Sequence, residues 1–182
     1  PDVIVNAAAY TAVDNAEADF ALAYQVNAEA PAILAEEARK NGALLIHFST
    51  DYIFDGTKTT AYTEQDLPNP LNVYGQSKLA GEQAVQALSS DYLIFRTTWV
   101  FAARGKNFLQ TIIRLAYERE TLNIVADQIG SPTWARLIAE TVAHALKQSL
   151  QERQQGKFNS AIYNLTAAGS ASWYDFSKTI VE

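Results

Sequence analysis

Leu44-Leu45-Ile46-His47-Phe48-Ser49-Thr50-Asp51-Tyr52 is the stretch on which the fold turns. A short, largely apolar run that breaks abruptly into polar residues reads as a parallel strand covered on both faces. In open parallel sheets ligands bind outside the carboxyl ends of the strands, so the hydroxyls and the carboxylate delivered there are candidates for chemistry. The same residue types also turn ordinary loops.

Downstream, a long polar connection through Phe54-Asp55-Gly56 and Pro68-Asn69-Pro70 leads to a helical pattern from Val73 to Leu88, with Leu79, Val85, Leu88 and the alanines 80, 84 and 87 on its packing side. A connection of that length is usually functional or mobile. At the head of the helix stands Tyr74-x-x-x-Lys78. Residues i and i+4 share a helix face, so a phenol and an ammonium address one point there. A free tyrosine titrates at about 10, and a neighbouring cation favours the phenolate. The same spacing also occurs on solvated helices.

Upstream, Val3 to Ala7 is a second buried strand. It runs into Asn6-Ala7-Ala8-Ala9-Tyr10-Thr11, small residues that either let a ligand approach the backbone or let a helix pack tightly. Asp14 and Glu17 have capping-box spacing. A helical pattern then runs to the stop at Asn41-Gly42, broken near Asn27 and kinked or restarted at Pro31. Asn27 itself reads as a surface position. Beyond the central helix come a strand at Tyr92–Phe95, then Trp99 as either a core plug or a flat platform for a sugar or base. A helix follows over Asn107–Glu120 with Phe108, Ile112, Leu115 and Ala116 buried, and a fourth strand over Leu122–Ala126. The rest reads as a helix over Thr133–Leu150 with Leu137, Ile138, Val142, Ala145 and Leu146 on its stripe, a surface loop over 151–160, a strand over Ile162–Leu165, and a last helix opening at Ser172-Trp173-Tyr174-Asp175. His144 reads as a surface or packing residue.

This alternation predicts an α/β fold, a doubly wound parallel sheet of Rossmann-like form, incomplete at both ends. No G-x-G turn is present, and the chain contains no methionine. It therefore reads as a single-domain fragment over 1–182, lacking one or two βαβ units of roughly 30 residues at its front. Residues 1–100 form the catalytic part of the core, and 101–182 a substrate-binding part interleaved with the last core elements.

The composition of 48% hydrophobic and 19% charged residues is that of a globular protein. A net charge of −6 without a basic cluster excludes a nucleic-acid or anionic-membrane footprint. With no cysteine and two histidines, disulfides and thiolate metal sites are excluded and no metal ligands are assigned. There is no apolar run of roughly 20 residues and no signal-peptide pattern, which makes a cytoplasmic protein the expectation.

Five stretches together carry a resemblance: Asn6-Ala7-Ala8-Ala9-Tyr10-Thr11-Ala12-Val13-Asp14, Phe48-Ser49-Thr50-Asp51-Tyr52-Ile53-Phe54-Asp55-Gly56, Tyr74-x-x-x-Lys78, Arg96-Thr97-Thr98-Trp99-Val100 and Asp127-Gln128-x-Gly130-Ser131-Pro132-Thr133. In order and spacing the chain resembles the dTDP-4-dehydrorhamnose reductases, extended short-chain dehydrogenase/reductases. The resemblance implies reduction of the 4-keto group of dTDP-4-dehydro-L-rhamnose by NADPH or NADH, the step that makes dTDP-L-rhamnose for bacterial surface polysaccharide. It implies Tyr74 as the general acid, and Lys78 as the residue that lowers the Tyr74 pKa and bonds the nicotinamide ribose. Thr50 bonds the reacting oxygen or the tyrosine hydroxyl, and Asp51 and Trp99 contact the substrate, while Ala9, Tyr10 and Thr11 line the cofactor. It leaves room for a homodimer and for a carboxylate-bound Mg2+, to which it assigns no residue. Two alternatives stand beside it: another nucleotide-sugar epimerase, dehydratase or reductase of the same family, and a non-catalytic regulatory subunit of the methionine adenosyltransferase type.

Overall fold

The computed structural model describes all of residues 1–182. In chain order the elements are β1 (Val3–Asn6), α1 (Phe20–Tyr24), α2 (Ala30–Asn41), β2 (Leu44–Thr50), α3 (Val73–Leu88), β3 (Asp91–Thr97), β4 (Val100–Phe101), α4 (Phe108–Glu118), β5 (Ile129–Gly130), β6 (Thr133–Trp134), α5 (Ala135–Gln154), β7 (Ala161–Asn164), β8 (Ala171–Ser172) and α6 (Trp173–Val181). They divide into two compact units, Pro1–Arg96 with Gly156–Asn164, and Thr97–Gln155 with Leu165–Glu182. No helix is long and apolar enough to cross a membrane.

The first unit is built on a four-stranded sheet of order β1-β2-β3-β7. β1 runs parallel to β2 with Asn6 opposite His47, and β3 runs parallel to β7 with Arg96 opposite Asn164. The parallel α/β architecture expected from the alternation is met. Ala35, Ala38, Ala43, Leu45, Val85 and Ile94 form a buried core, joined by Ile4, Leu34, Leu88, Tyr92 and Ile162. Small alanines on α2 let it lie close to α3 and the sheet, where dispersion contacts are densest. Gly42 ends α2 in the left-handed conformation at φ 62°, where a glycine carries no Cβ penalty.

Several sequence expectations are corrected here. Asp14 caps nothing: Asp14–Glu17 is a 3-10 turn without a side-chain cap, and Glu17 Oε1 instead accepts the Val73 N–H that opens α3, at 2.9 Å. Pro31 stands in the first turn of α2, and the break before it is a π turn over Gln25–Glu29. Asn27, in that turn, is buried at 1% exposure rather than on the surface. Of the expected packing side of α3, Val85 is buried and Leu88 packs against the core while Ala87 is exposed, and Tyr74, Gly75, Ser77, Lys78, Gly81 and Glu82 make up the rest of the buried face. The long connection is pinned: Asp55 accepts hydrogen bonds from the Thr57 N–H and hydroxyl, the Tyr62 hydroxyl and the Asn69 amide. These bonds, Asn69 first, hold its carboxyl well below the usual carboxylate range. Glu64 Oε1 accepts the Asn164 N–H at 2.7 Å, tying the loop to the end of β7.

In the second unit β4 pairs parallel with β6 and β5 antiparallel with β8. α4 and α6 pack through Phe108, Trp173 and Phe176. The last helix opens as its spacing suggests, with a capping box in which Ser172 and Asp175 satisfy each other's backbone N–H. Leu122–Ala126 forms no strand. Its Val125 carbonyl accepts the Tyr174 N–H and its Val125 side chain is half exposed, and a short run interrupted by Asn123 does not by itself separate a strand from a connector. Ala116 and Leu137, placed on buried stripes by period, are exposed. α5 begins two residues later than expected, at Ala135, and runs on to Gln154, leaving a shorter loop before β7.

Candidate active site

β2 ends at Thr50, whose hydroxyl accepts the Tyr52 N–H at 3.2 Å and so starts the 3-10 turn Asp51–Ile53. The same hydroxyl donates to Asp51 Oδ1 at 3.1 Å. Asn72 caps α3 by accepting the Gly75 N–H at 2.8 Å, which sets Tyr74 and Lys78 in the first two turns, facing inward. Position 75 has to be glycine, because a Cβ there would collide with the Tyr52 carbonyl. The Tyr74 ring meets Tyr52 edge to face at 5.5 Å and packs against Ala16 and Ala23.

Thr50, Tyr74 and Lys78 are brought together, but their electrostatics differ from the sequence expectation. Burial pushes the Tyr74 phenol up to about 12; its hydrogen bond with Thr50 works the other way, and the nearby Asp51 and Tyr52 raise it further. Burial lowers Lys78 to about 8. The ammonium donates to the Phe48 carbonyl at 2.6 Å. The expected lowering of Tyr74 by Lys78 is not seen here: desolvation of the anion is the largest influence, and the phenol keeps its proton. A protonated phenol is the state a general acid requires.

Sequence reasoning missed Asn27. Its side chain accepts the Tyr10 N–H at 2.9 Å, donates to the Tyr10 carbonyl at 3.0 Å and donates to Ser77 Oγ at 3.0 Å. Ser77 in turn donates to the Tyr74 carbonyl at 2.8 Å. One buried amide therefore fastens the Ala9-Tyr10-Thr11 segment to the helix that carries Tyr74 and Lys78. A Cβ at Gly81 would collide with the Asn27 carbonyl, so the π turn seats directly on α3. The signal was present as a polar residue at a break in an alanine-rich helix, where π turns concentrate at functional sites. Tyr10 itself points its hydroxyl outward to Asp19 Oδ2 at 2.7 Å.

Beneath the cluster lies His47, fully buried, whose Nδ1 bonds the Asn6 amide at 3.1 Å and whose Nε2 has no partner. Burial, and after it the charge of Lys78, lowers the imidazole from 6.5 to about 3. Such a group stays neutral in the fold while the unfolded chain protonates, so its contribution to stability is whole above pH 6.5 and is lost as pH falls towards 3. Urea unfolding of the full-length protein between about pH 7 and 5 is expected to show stability falling by up to about 1.4 kcal/mol per pH unit more steeply than in His47→Gln. Parallel slopes would show that His47 is not held neutral.

Trp99 belongs to the second unit. It takes a left-handed φ of 44°, the one non-glycine residue to do so. Its indole stacks on Trp173 with centroids 3.5 Å apart, and Gly130 leaves it room, since a Cβ there would lie 2.7 Å from Cζ2. Backbone held in that region is retained where surroundings over-determine it, often at ligand sites. No three His, Cys, Asp or Glu side chains gather where they could hold a metal ion.

The dTDP-4-dehydrorhamnose reductase of Burkholderia thailandensis is 58% identical over 181 residues, spanning 100% of this chain and 61% of the relative. That of Salmonella typhimurium is 46% identical over 100% of this chain and 60% of its own length. The crystal structure of the Bacillus anthracis dTDP-4-dehydrorhamnose reductase in complex with NADP superposes with a TM-score of 0.90 at 40% identity, covering 99% of this chain and 61% of that one. The chain thus spans about three fifths of the length of these relatives. The model of the RmlD substrate binding domain matches residues 1–182. Matched from end to end in sequence and followed in backbone by a solved relative, the chain belongs to the RmlD substrate-binding-domain family.

Proposed function

We propose that the protein carrying this chain reduces the 4-keto group of dTDP-4-dehydro-L-rhamnose to dTDP-L-rhamnose, using NADPH, with NADH as a second donor. The observation that carries the reading is the buried cluster of Thr50, Tyr74 and Lys78 at the carboxyl end of β2, with the phenol protonated.

The cluster fits a nicotinamide cofactor. An ammonium has three donors, and Lys78 gives one to the Phe48 carbonyl, which leaves donors for a ribose. Tyr10 packs against the cluster that contains Tyr74 and is held by its backbone through Asn27, and with Ala9 and Thr11 on either side it would line the cofactor. When bound, NADPH supplies the hydride. Tyr74 gives its proton to the C4 oxygen as negative charge grows there, and Thr50 holds the same oxygen or the phenol. Asp51 contacts the nucleotide sugar. Lys78, charged below its pKa of about 8, steadies the phenolate that remains until solvent returns the proton.

The test is oxidation of NADPH by the full-length protein on addition of dTDP-4-dehydro-L-rhamnose. Stoichiometric loss of absorbance at the nicotinamide band is expected. A protein that binds the sugar nucleotide without net NADPH consumption would be an epimerase, a dehydratase or a regulator, and the reading would fall.

A further inference from the structure

We propose that Glu82, locked in place by Arg96, is a positioning residue that keeps the Lys78 side chain charged within the layer between α3 and the sheet. The proposal deepens the reductase reading and rests on it, since the charge of Lys78 matters to turnover only if that chemistry runs here. Lys78 and Glu82 stand one turn apart on the buried stripe of α3, at 2% and 0% exposure. Both carboxylate oxygens are held by the guanidinium, with Nε at 3.0 and 3.3 Å and Nη2 at 2.8 Å. Lys78 turns instead to the Phe48 carbonyl. Glu82 therefore acts on the ammonium through space, across a buried layer where a charge is felt more than in water.

The other groups around Lys78 do not replace it. His47, from β2, is kept neutral by burial. Tyr74 is a protonated phenol. Asp51 and Tyr52 lie on the turn after β2, where Thr50 donates to the Asp51 carboxylate, and Glu17 accepts the N–H of Val73 at the start of α3. Arg96, from β3, carries the wrong sign to favour an ammonium, and Glu29, on the π turn, is exposed. Burial pulls Lys78 down, and the charge of Glu82 is what pulls it back up.

A purely structural tie between α3 and β3 predicts something different, and the double variants Glu82→Leu/Arg96→Leu and Glu82→Gln/Arg96→Gln separate the two. Replacing both members of a buried pair leaves no stranded charge, so these proteins are expected to fold. The probe is the Lys78 amine itself, followed by NMR of the full-length protein with labelled lysine and identified by the resonance lost in Lys78→Met. The wild-type midpoint is expected near 8, and in either folded double variant, where the opposing charge of Arg96 is gone as well, it should still fall below the wild-type value. The alkaline limb of NADPH-dependent turnover should move down with it. An unchanged midpoint overturns the proposal, and so does a shifted midpoint with an unmoved limb. A wild-type protein with no turnover at all would sink the reductase reading instead, with the titration still deciding whether Glu82 sets the charge of Lys78.

Discussion

Full-length protein carrying Tyr74→Phe is expected to lose about 10²- to 10⁴-fold in kcat, the usual worth of a positioned general acid, with little change in KM. The substitution is nearly pure. Phenylalanine keeps the ring that packs on Ala16 and Ala23 and meets Tyr52 edge-on, and it removes only the hydroxyl. Because burial holds the phenol near 12, wild-type Tyr74 carries its proton throughout the neutral range, so no acid limb should come from this residue. Rate at the alkaline end should fall as Lys78 passes its pKa of about 8 and loses the charge that receives the phenolate. Steady-state NADPH consumption against pH measures both. Wild-type turnover in the Phe variant would remove Tyr74 from the chemistry.

Glu82→Leu alone is expected to destabilise the protein by about 3–5 kcal/mol, the cost of leaving a buried guanidinium without its carboxylate. Arg96 is 5% exposed, its Nη1 already has no hydrogen-bond partner, and the nearest relief is the face of Phe54 at 5.4 Å. No other side chain bonds the two donors that Glu82 satisfies. Urea unfolding of the single variant beside Glu82→Leu/Arg96→Leu makes the measurement: the companion change should recover most of the loss. A single variant as stable as wild type would mean that water reaches Arg96 and that the layer is not dry.

The parallel sheet was legible because β2 announces itself by composition and ends in polar residues at the position where such sheets place ligands. Tyr74, Lys78 and Thr50 were legible by spacing and position. Their protonation was not, since sequence spacing reports that two groups can meet and says nothing of how much water is lost when they do. Asn27 reads as exposed because a polar residue in an alanine-rich helix usually is; its burial is made favourable by three hydrogen bonds to two residues distant in the chain, Tyr10 and Ser77. Glu82 sits four residues after Lys78, the same interval as Tyr74 to Lys78, so extending the period by one turn would have brought it out. Leu122–Ala126 failed for the opposite reason: its apolar residues, interrupted by Asn123, suggest a strand, but the segment runs as a connector whose Val125 carbonyl bonds the Tyr174 N–H.

The manner in which Asn27 grips Tyr10 has a bearing on how such a pocket can diverge. The amide holds the peptide N–H and C=O of that residue and leaves its ring alone. The neighbouring Ala9 and Thr11 side chains can therefore be exchanged for others of different size or polarity without breaking the grip on the backbone, and ligand preference can drift while the catalytic helix stays put.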